Sequence, residues 1–450
     1  MTWARAVCWL GLAACTRPAV QPLERAAVPS AFGAPRTEGV RARDPAGVPS
    51  GSRRLGMNPE ERALRETLER VAVERELPVR RPVTAEVVSR ERARELLVEK
   101  TLRDSPKELL QAQGEFLAAL ELIPPDYSFV EGLFAMLAEN VAGFYDPKFD
   151  TLYLLNDLDE GASASTLSHE LIHALQAQHF DLRDRLTYRP GELDVLAATS
   201  TLAEGDAFAA MFTASTGPRE PLSAEQAGES LLAAVASTPS GASSPPALLR
   251  SLVAPYRDGY RFVSALHARG GWAEVNRVWR EPPGSTEQVL HLAKYDAHEP
   301  PLSVAAPTAG ALGPGWRTLD SDVMGEQAMR TFFEQDSRPE EAARAAAGWG
   351  GDRYTVFARD AVGGRELAVA VRIRFDDVSE AVEAEAFLRS RYPACRERPR
   401  LGPVAVARLG ADLALVAGPF LRQTTGTATP LPLFDCANAR SWLVEVLGAP

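Results

Sequence analysis

Residues 169–180 read HELIHALQAQHF. His169 and His173 are four positions apart, so on a helix they lie about 40° from each other around the axis and their imidazoles can share one ion. Glu170 projects to the edge of the same face, where a carboxylate can hold a water beside that ion and take its proton. Leu167, Leu171 and Leu175 fall on the opposite side, so the spacing predicts an amphipathic helix that lines a cleft with its histidines. Nitrogen ligands at this spacing suit Zn²⁺. Chance is a poor explanation: with six histidines in 450 residues, a random HExxH is on the order of a one-in-a-hundred event.

Two residues compete for the third ligand position. His179 follows His173 by six residues, as the last histidine does in the metzincin pattern HExxHxxGxxH. There a glycine turns the chain back to the metal, but here Gln176, a good helix former, occupies that place. If the helix continues, His179 sits about 240° around from His173 and faces away. It then reads as a helix-end histidine favoured by the C-terminal dipole. Glu204 is the rival, in TLAEGDAFAA, 31 residues after His173. Leu196, Ala203 and Ala207 make its surroundings apolar, so the charges at Glu204 and Asp206 need partners.

The pairing of HExxH with this second helix resembles the thermolysin-like gluzincins, over roughly residues 143–295. The resemblance implies a zincin-like metallopeptidase acting on a peptide or protein substrate. His169, His173 and Glu204 would hold zinc, and Glu170 would serve as general base. It also implies that residues 151–155 form the edge strand along which extended substrates pair. His291, after the Pro-rich turn at 282–283, occupies the chain position of the oxyanion donor, with Tyr295 one turn on. His267 and His298 read as structural. One departure stands out: the family's aspartate four residues beyond the ligand glutamate is Phe208 here. Asp206 is the candidate to support the zinc histidines instead, but it lies 200° around the helix from Glu204, which leaves that support unassigned. The alternatives are a metzincin-like protease using His179 and a silent zincin-like binding or assembly module with a structural zinc. The intact Glu170 argues against the module, since a structural site needs no base.

These residues require helices to carry them. Helical periodicity runs over residues 59–77, 89–102 and 106–122, and residues 127–137 are apolar enough to be buried. Tyr145-Asp146-Pro147 reads as a turn, residues 151–155 as a strand, and Ser163 or Ser165 as the cap of the histidine helix. A second apolar helix spans about 194–213, and residues 214–245 read as a long loop or weak helix. Two helices separated at Gly270-Gly271 follow. GWGGDRY, residues 348–354, has the Gly and aromatic content of a binding loop but reads rather as a tight turn before a strand. Beyond it come a hairpin at Gly363-Gly364, a helix over 378–390, two strands around Gly410 and a final helix near 437–447. The expected class is α+β: a mainly helical zincin-like domain with a short edge sheet over 57–312, then a small ββαββα-like α+β domain over 313–450.

The first fifteen residues, MTWARAVCWLGLAAC, carry a basic residue and an apolar run too short to span a bilayer. Leu12-Ala13-Ala14-Cys15 resembles the lipobox of bacterial lipoproteins, which implies a lipoprotein signal peptide over 1–14 and lipidation of Cys15. Residues 15–56, rich in Pro, Gly, Ala and Arg, read as a disordered tether. The expected location is the bacterial envelope, membrane-bound through the lipid and facing the periplasm or exterior. Thr16 favours the outer membrane. Cys395 and Cys436 then remain as an even pair suited to one disulfide in an oxidising compartment. In the chain-entropy picture such a bridge contributes about 4 kcal/mol. A net charge of −11 argues against nucleic acid as a partner.

Overall fold

The computed structural model describes residues 59–215 and 222–448. The expected signal peptide, Cys15 and the tether lie outside the described residues. The chain is α+β. In order it forms α1 (Pro59–Glu74), β1 (Thr84–Val88), α2 (Arg90–Asp104), α3 (Lys107–Ala119), α4 (Phe129–Asn140), β2 (Gly143–Asp146), β3 (Thr151–Leu155) and α5 (Glu160–Phe180). Then come α6 (Leu182–Arg185), α7 (Leu193–Ser215), α8 (Ala224–Ala236), α9 (Pro239–Ser243), α10 (Pro246–Arg280), α11 (Thr286–Leu290) and α12 (Leu292–Asp296). The remainder alternates: β4 (Arg317–Asp322), α13 (Glu326–Phe333), α14 (Pro339–Ala346), β5 (Trp349–Ala361), β6 (Gly364–Phe375), α15 (Val378–Arg391), β7 (Cys395–Arg396), β8 (Val404–Leu409), β9 (Asp412–Gln423), β10 (Ala428–Pro430) and α16 (Cys436–Leu447).

The smaller sheet has the order β1-β3-β2, with β1 parallel and β2 antiparallel to β3. Residues 151–155 are therefore the central strand and not the edge strand expected from the gluzincin resemblance. TAEVV, residues 84–88, supplies the unexpected neighbour, and its charged Glu86 hides a strand whose backbone register alone decides the pairing. The edge nearest the histidine helix is β2, and the turn expected at 145–147 begins only after Asp146, whose carboxylate accepts from Lys148 N–H at 2.9 Å.

The larger sheet runs β4-β5-β6-β9-β8-β7, antiparallel throughout, with β10 added on β9. GWGGDRY is not a turn: Trp349 to Tyr354 already belong to β5. Its glycines serve a close approach, because a Cβ on Gly351 would lie 2.1 Å from the Leu302 carbonyl oxygen. Residues 224–243 form α8 and α9 where a loop or weak helix was expected, α8 being closed by a capping box between Ser223 and Gln226. Cys395 and Cys436 are disulfide-bonded.

One apolar core joins α2, α3, α4 and α10 to the inner face of the large sheet, from Phe116 and Met136 to Tyr354 and Val371. The expected boundary at 312/313 thus falls between secondary-structure elements but not between separate cores. A second core, built from Leu68, Val71, Leu171, Leu202, Val263 and Trp279, surrounds α5 and α7. Among the described residues no helix is long and apolar enough to cross a membrane.

Candidate metal centre

α5 begins one turn earlier than expected, because Asp159 caps it by accepting from Ala162 N–H at 2.8 Å. It then runs unbroken through Gln176 to Phe180 and stops at Asp181 in the left-handed region. The straight helix fixes the fate of His179. Its Nε2 lies 2.8 Å from the Pro78 carbonyl oxygen, and His179 is not part of the ligand cluster. The histidine face does not line an open cleft: every residue from Thr166 to Gln176 is buried, and α7 lies across it.

α7 is placed by contacts from distant parts of the chain. At its N-terminus, Asp322 at the end of β4 accepts from Leu193 N–H at 3.1 Å, Gly191 N–H at 3.2 Å and the Tyr188 hydroxyl at 2.7 Å. These bonds satisfy amides that a helix start leaves free. One turn before Glu204, the Thr201 hydroxyl donates to Gln327, which donates to Asp258 at 3.0 Å. At Glu204 itself α7 crosses α10 backbone to backbone. A Cβ on Gly205 would lie 2.0 Å from the Gly259 carbonyl carbon, so only glycine permits the approach.

The crossing brings three ligand atoms together. His173 Nε2 lies 3.0 Å from His169 Nε2, His169 Nε2 lies 3.2 Å from Glu204 Oε2, and His173 Nε2 lies 3.6 Å from the same oxygen. Ligands on a tetrahedral zinc at its usual bond lengths stand about 3.3 Å apart. The second Glu204 oxygen, Oε1, is buried with no hydrogen-bond partner, a costly state that a cation relieves. Both observations fit a metal ion with two imidazoles and one carboxylate. Burial disfavours charge on His173, but Glu204 outweighs it and pushes the imidazole up to about 9. Burial lowers His169. Glu204 is lowered although burial opposes it, chiefly by the charge of His173. A metal ion held by these three side chains would have to displace a proton from them.

Glu170 is adjacent but outside this set. Its Oε2 accepts from the backbone N–H of Tyr145 on β2 at 2.8 Å. The support that the sequence left unassigned comes from Gln176 and Asp206 together. Gln176 Oε1 accepts from His173 Nδ1 at 2.8 Å, while its amide nitrogen donates to the Ala203 carbonyl at 3.0 Å and to Asp206 Oδ2 at 3.2 Å. Asp206 needs no direct line to a histidine, because Gln176 spans the gap between the two helices.

His291 is engaged elsewhere: its Nε2 lies 2.8 Å from Glu326 Oε1. No hydrogen bond, ion pair or ring contact among the described residues joins it to His169, His173 or Glu204. Sequence reasoning passed over Tyr256 of α10, whose ring centroid lies 6.2 Å from that of His169. No local motif marks it, since it reaches the site only through the α7–α10 crossing.

A family described as a domain of unknown function, DUF8575, matches residues 316–423, about a quarter of the chain. The match covers β4 to β9 and includes Asp322, but none of the clustered histidines or Glu204. No curated protein and no solved structure matches the chain.

Proposed function

We propose that the chain is a zinc metallopeptidase of gluzincin type, lipid-anchored through Cys15 in a bacterial envelope. The observation that carries this reading is the meeting of His169, His173 and Glu204 in one buried cluster, the only His-containing ligand set among the described residues, with Glu170 beside it. Zinc, when bound, supplies a Lewis acid that acidifies water and polarises a carbonyl. Glu170, oriented by the Tyr145 amide, accepts the proton of the attacking water and returns it to the leaving amine. β2 is the sheet edge beside Glu170 and, buried as it is here, would pair with an extended peptide through groups other than the Tyr145 N–H, which Glu170 occupies. In place of His291, for which the resemblance implied the oxyanion role, this reading takes Tyr256 as the candidate donor, its ring centroid 6.2 Å from that of His169.

His169, Glu170, His173 and Glu204 are each at most 1% exposed, so a polypeptide reaches them only when the covering helices part. A structural zinc in a binding or assembly module would be equally buried. Three protein ligands, where a structural site carries four, and the Glu170 carboxylate held next to them by the Tyr145 N–H favour catalysis. Hydrolysis of a broad peptide library by the full chain, abolished by a chelator and restored by zinc, is the expected outcome. A zinc-loaded chain that cleaves nothing in the library would point to the module.

A further inference from the structure

Asp206 is fully buried, and so is the Arg75 guanidinium that grips both of its oxygens, with Nη2 3.0 Å from Oδ2. Arg75 also stacks on Trp272, its guanidinium carbon 4.3 Å from the ring centroid, and Trp279 Nε1 donates to Asp206 Oδ2 at 2.7 Å. Taking two charges out of water is expensive, and apolar residues of similar volume hold helices together as well or better. Fastening α1 to the protein therefore does not by itself account for this pair. What the pair does is define Gln176. Asp206 and the Ala203 carbonyl can only accept, so they force the Gln176 nitrogen toward themselves and leave its oxygen facing His173. Gln176 thereby keeps the Nδ1 proton of His173 engaged, so that Nε2 is the nitrogen that gives up its proton and offers a lone pair when a cation enters the cluster.

We propose that Arg75 is a positioning residue of the metal centre, acting on His173 through Asp206 and Gln176, so that the segment after α1 sets metal affinity. The inference rests on the metallopeptidase reading only as far as metal binding. The same segment is stitched to α5 at further points. Gln178 accepts from the Arg80 and Arg81 amides at 2.8 and 3.2 Å and donates to the Arg81 carbonyl at 3.0 Å. His179 meets the Pro78 carbonyl, and Arg70 of α1 donates to Ser168, next to His169, at 2.9 Å. His179, no ligand itself, helps to dock the segment that carries Arg75.

The test is zinc affinity of the full chain, measured by chelator competition, with cobalt(II) absorption as a second probe of geometry. Arg75→Met is expected to bind zinc about 10–100-fold more weakly and to alter the cobalt spectrum, with Arg75→Lys intermediate. Affinity within twofold of the parent overturns the proposal, even if thermal stability falls, because that pattern belongs to a merely structural pair. If Arg75→Met fails to fold, Arg75→Lys carries the same two outcomes; Gln176→Met, which removes the last link to His173, is measured as the second variant. Where both variants fold, the double variant should be no weaker than the worse single one, and additive losses would break the proposed line of action. A parent chain that binds neither zinc nor cobalt removes the metal centre itself, a failure distinct from an Arg75 variant that binds as well as the parent.

Discussion

Glu170→Gln is expected to lower peptide hydrolysis by at least about 10²–10⁴-fold, the range in which a general base contributes, while zinc stays bound. Glutamine keeps the length of the side chain and can still accept from the Tyr145 N–H that orients it. It cannot take a proton. Zinc should remain because the ligand cluster is His169, His173 and Glu204, and Glu170 lies outside it. Initial rates on a fluorogenic peptide, with zinc per chain determined on the same preparation, separate the two effects. A variant retaining a tenth or more of the parent rate would remove Glu170 from the chemistry.

The second large effect is expected at a residue with no side chain. Gly205→Ala places a methyl 2.0 Å from the carbonyl carbon and 2.2 Å from the carbonyl oxygen of Gly259. Neither is the end of a flexible side chain, so α7 and α10 must move apart. Overpacking costs about 1–3 kcal/mol, and a clash of this kind against backbone falls at the upper end of that range. Because Glu204 is the next residue, any separation of the helices also carries the carboxylate away from the histidines. Gly205→Ala should therefore lose zinc affinity together with thermal stability, whereas an alanine at exposed Gly161 of α5 should cost neither. Thermal melts with and without zinc are the measurement, and a parent-like melting temperature would show that the crossing tolerates a methyl group.

Much of this centre was legible in one dimension. Gln176 in place of glycine said that the histidine helix would not turn back, and it does not. Glu204 stood out because a charge in an apolar run needs a partner, and α7 delivers it to His169 and His173. What escaped the sequence depends on residues far apart along the chain. Asp206 was the candidate for supporting the histidines, but its place 200° around the same helix from Glu204 offered no route to them. Its partners are Gln176 on α5 and Arg75 beyond α1, and only the helix crossing shows that they meet. Tyr256 was invisible for the same reason. His291 looked suitable from its chain position, but its partner Glu326 lies 35 residues on and in a different element. β1 was missed because TAEVV lacks an alternating pattern, its place being set by parallel pairing with Thr151–Leu155. GWGGDRY misled because its glycines look like a turn locally, whereas their purpose, room for Leu302, is long-range.

The most direct test of the metal centre is zinc content after mild dialysis, compared among the parent chain, Glu204→Ala and His179→Ala. About one zinc per chain in the parent and in His179→Ala, and little in Glu204→Ala, is the result expected of a site made by His169, His173 and Glu204. Zinc retained in Glu204→Ala and lost in His179→Ala, or absent from the parent, would contradict it.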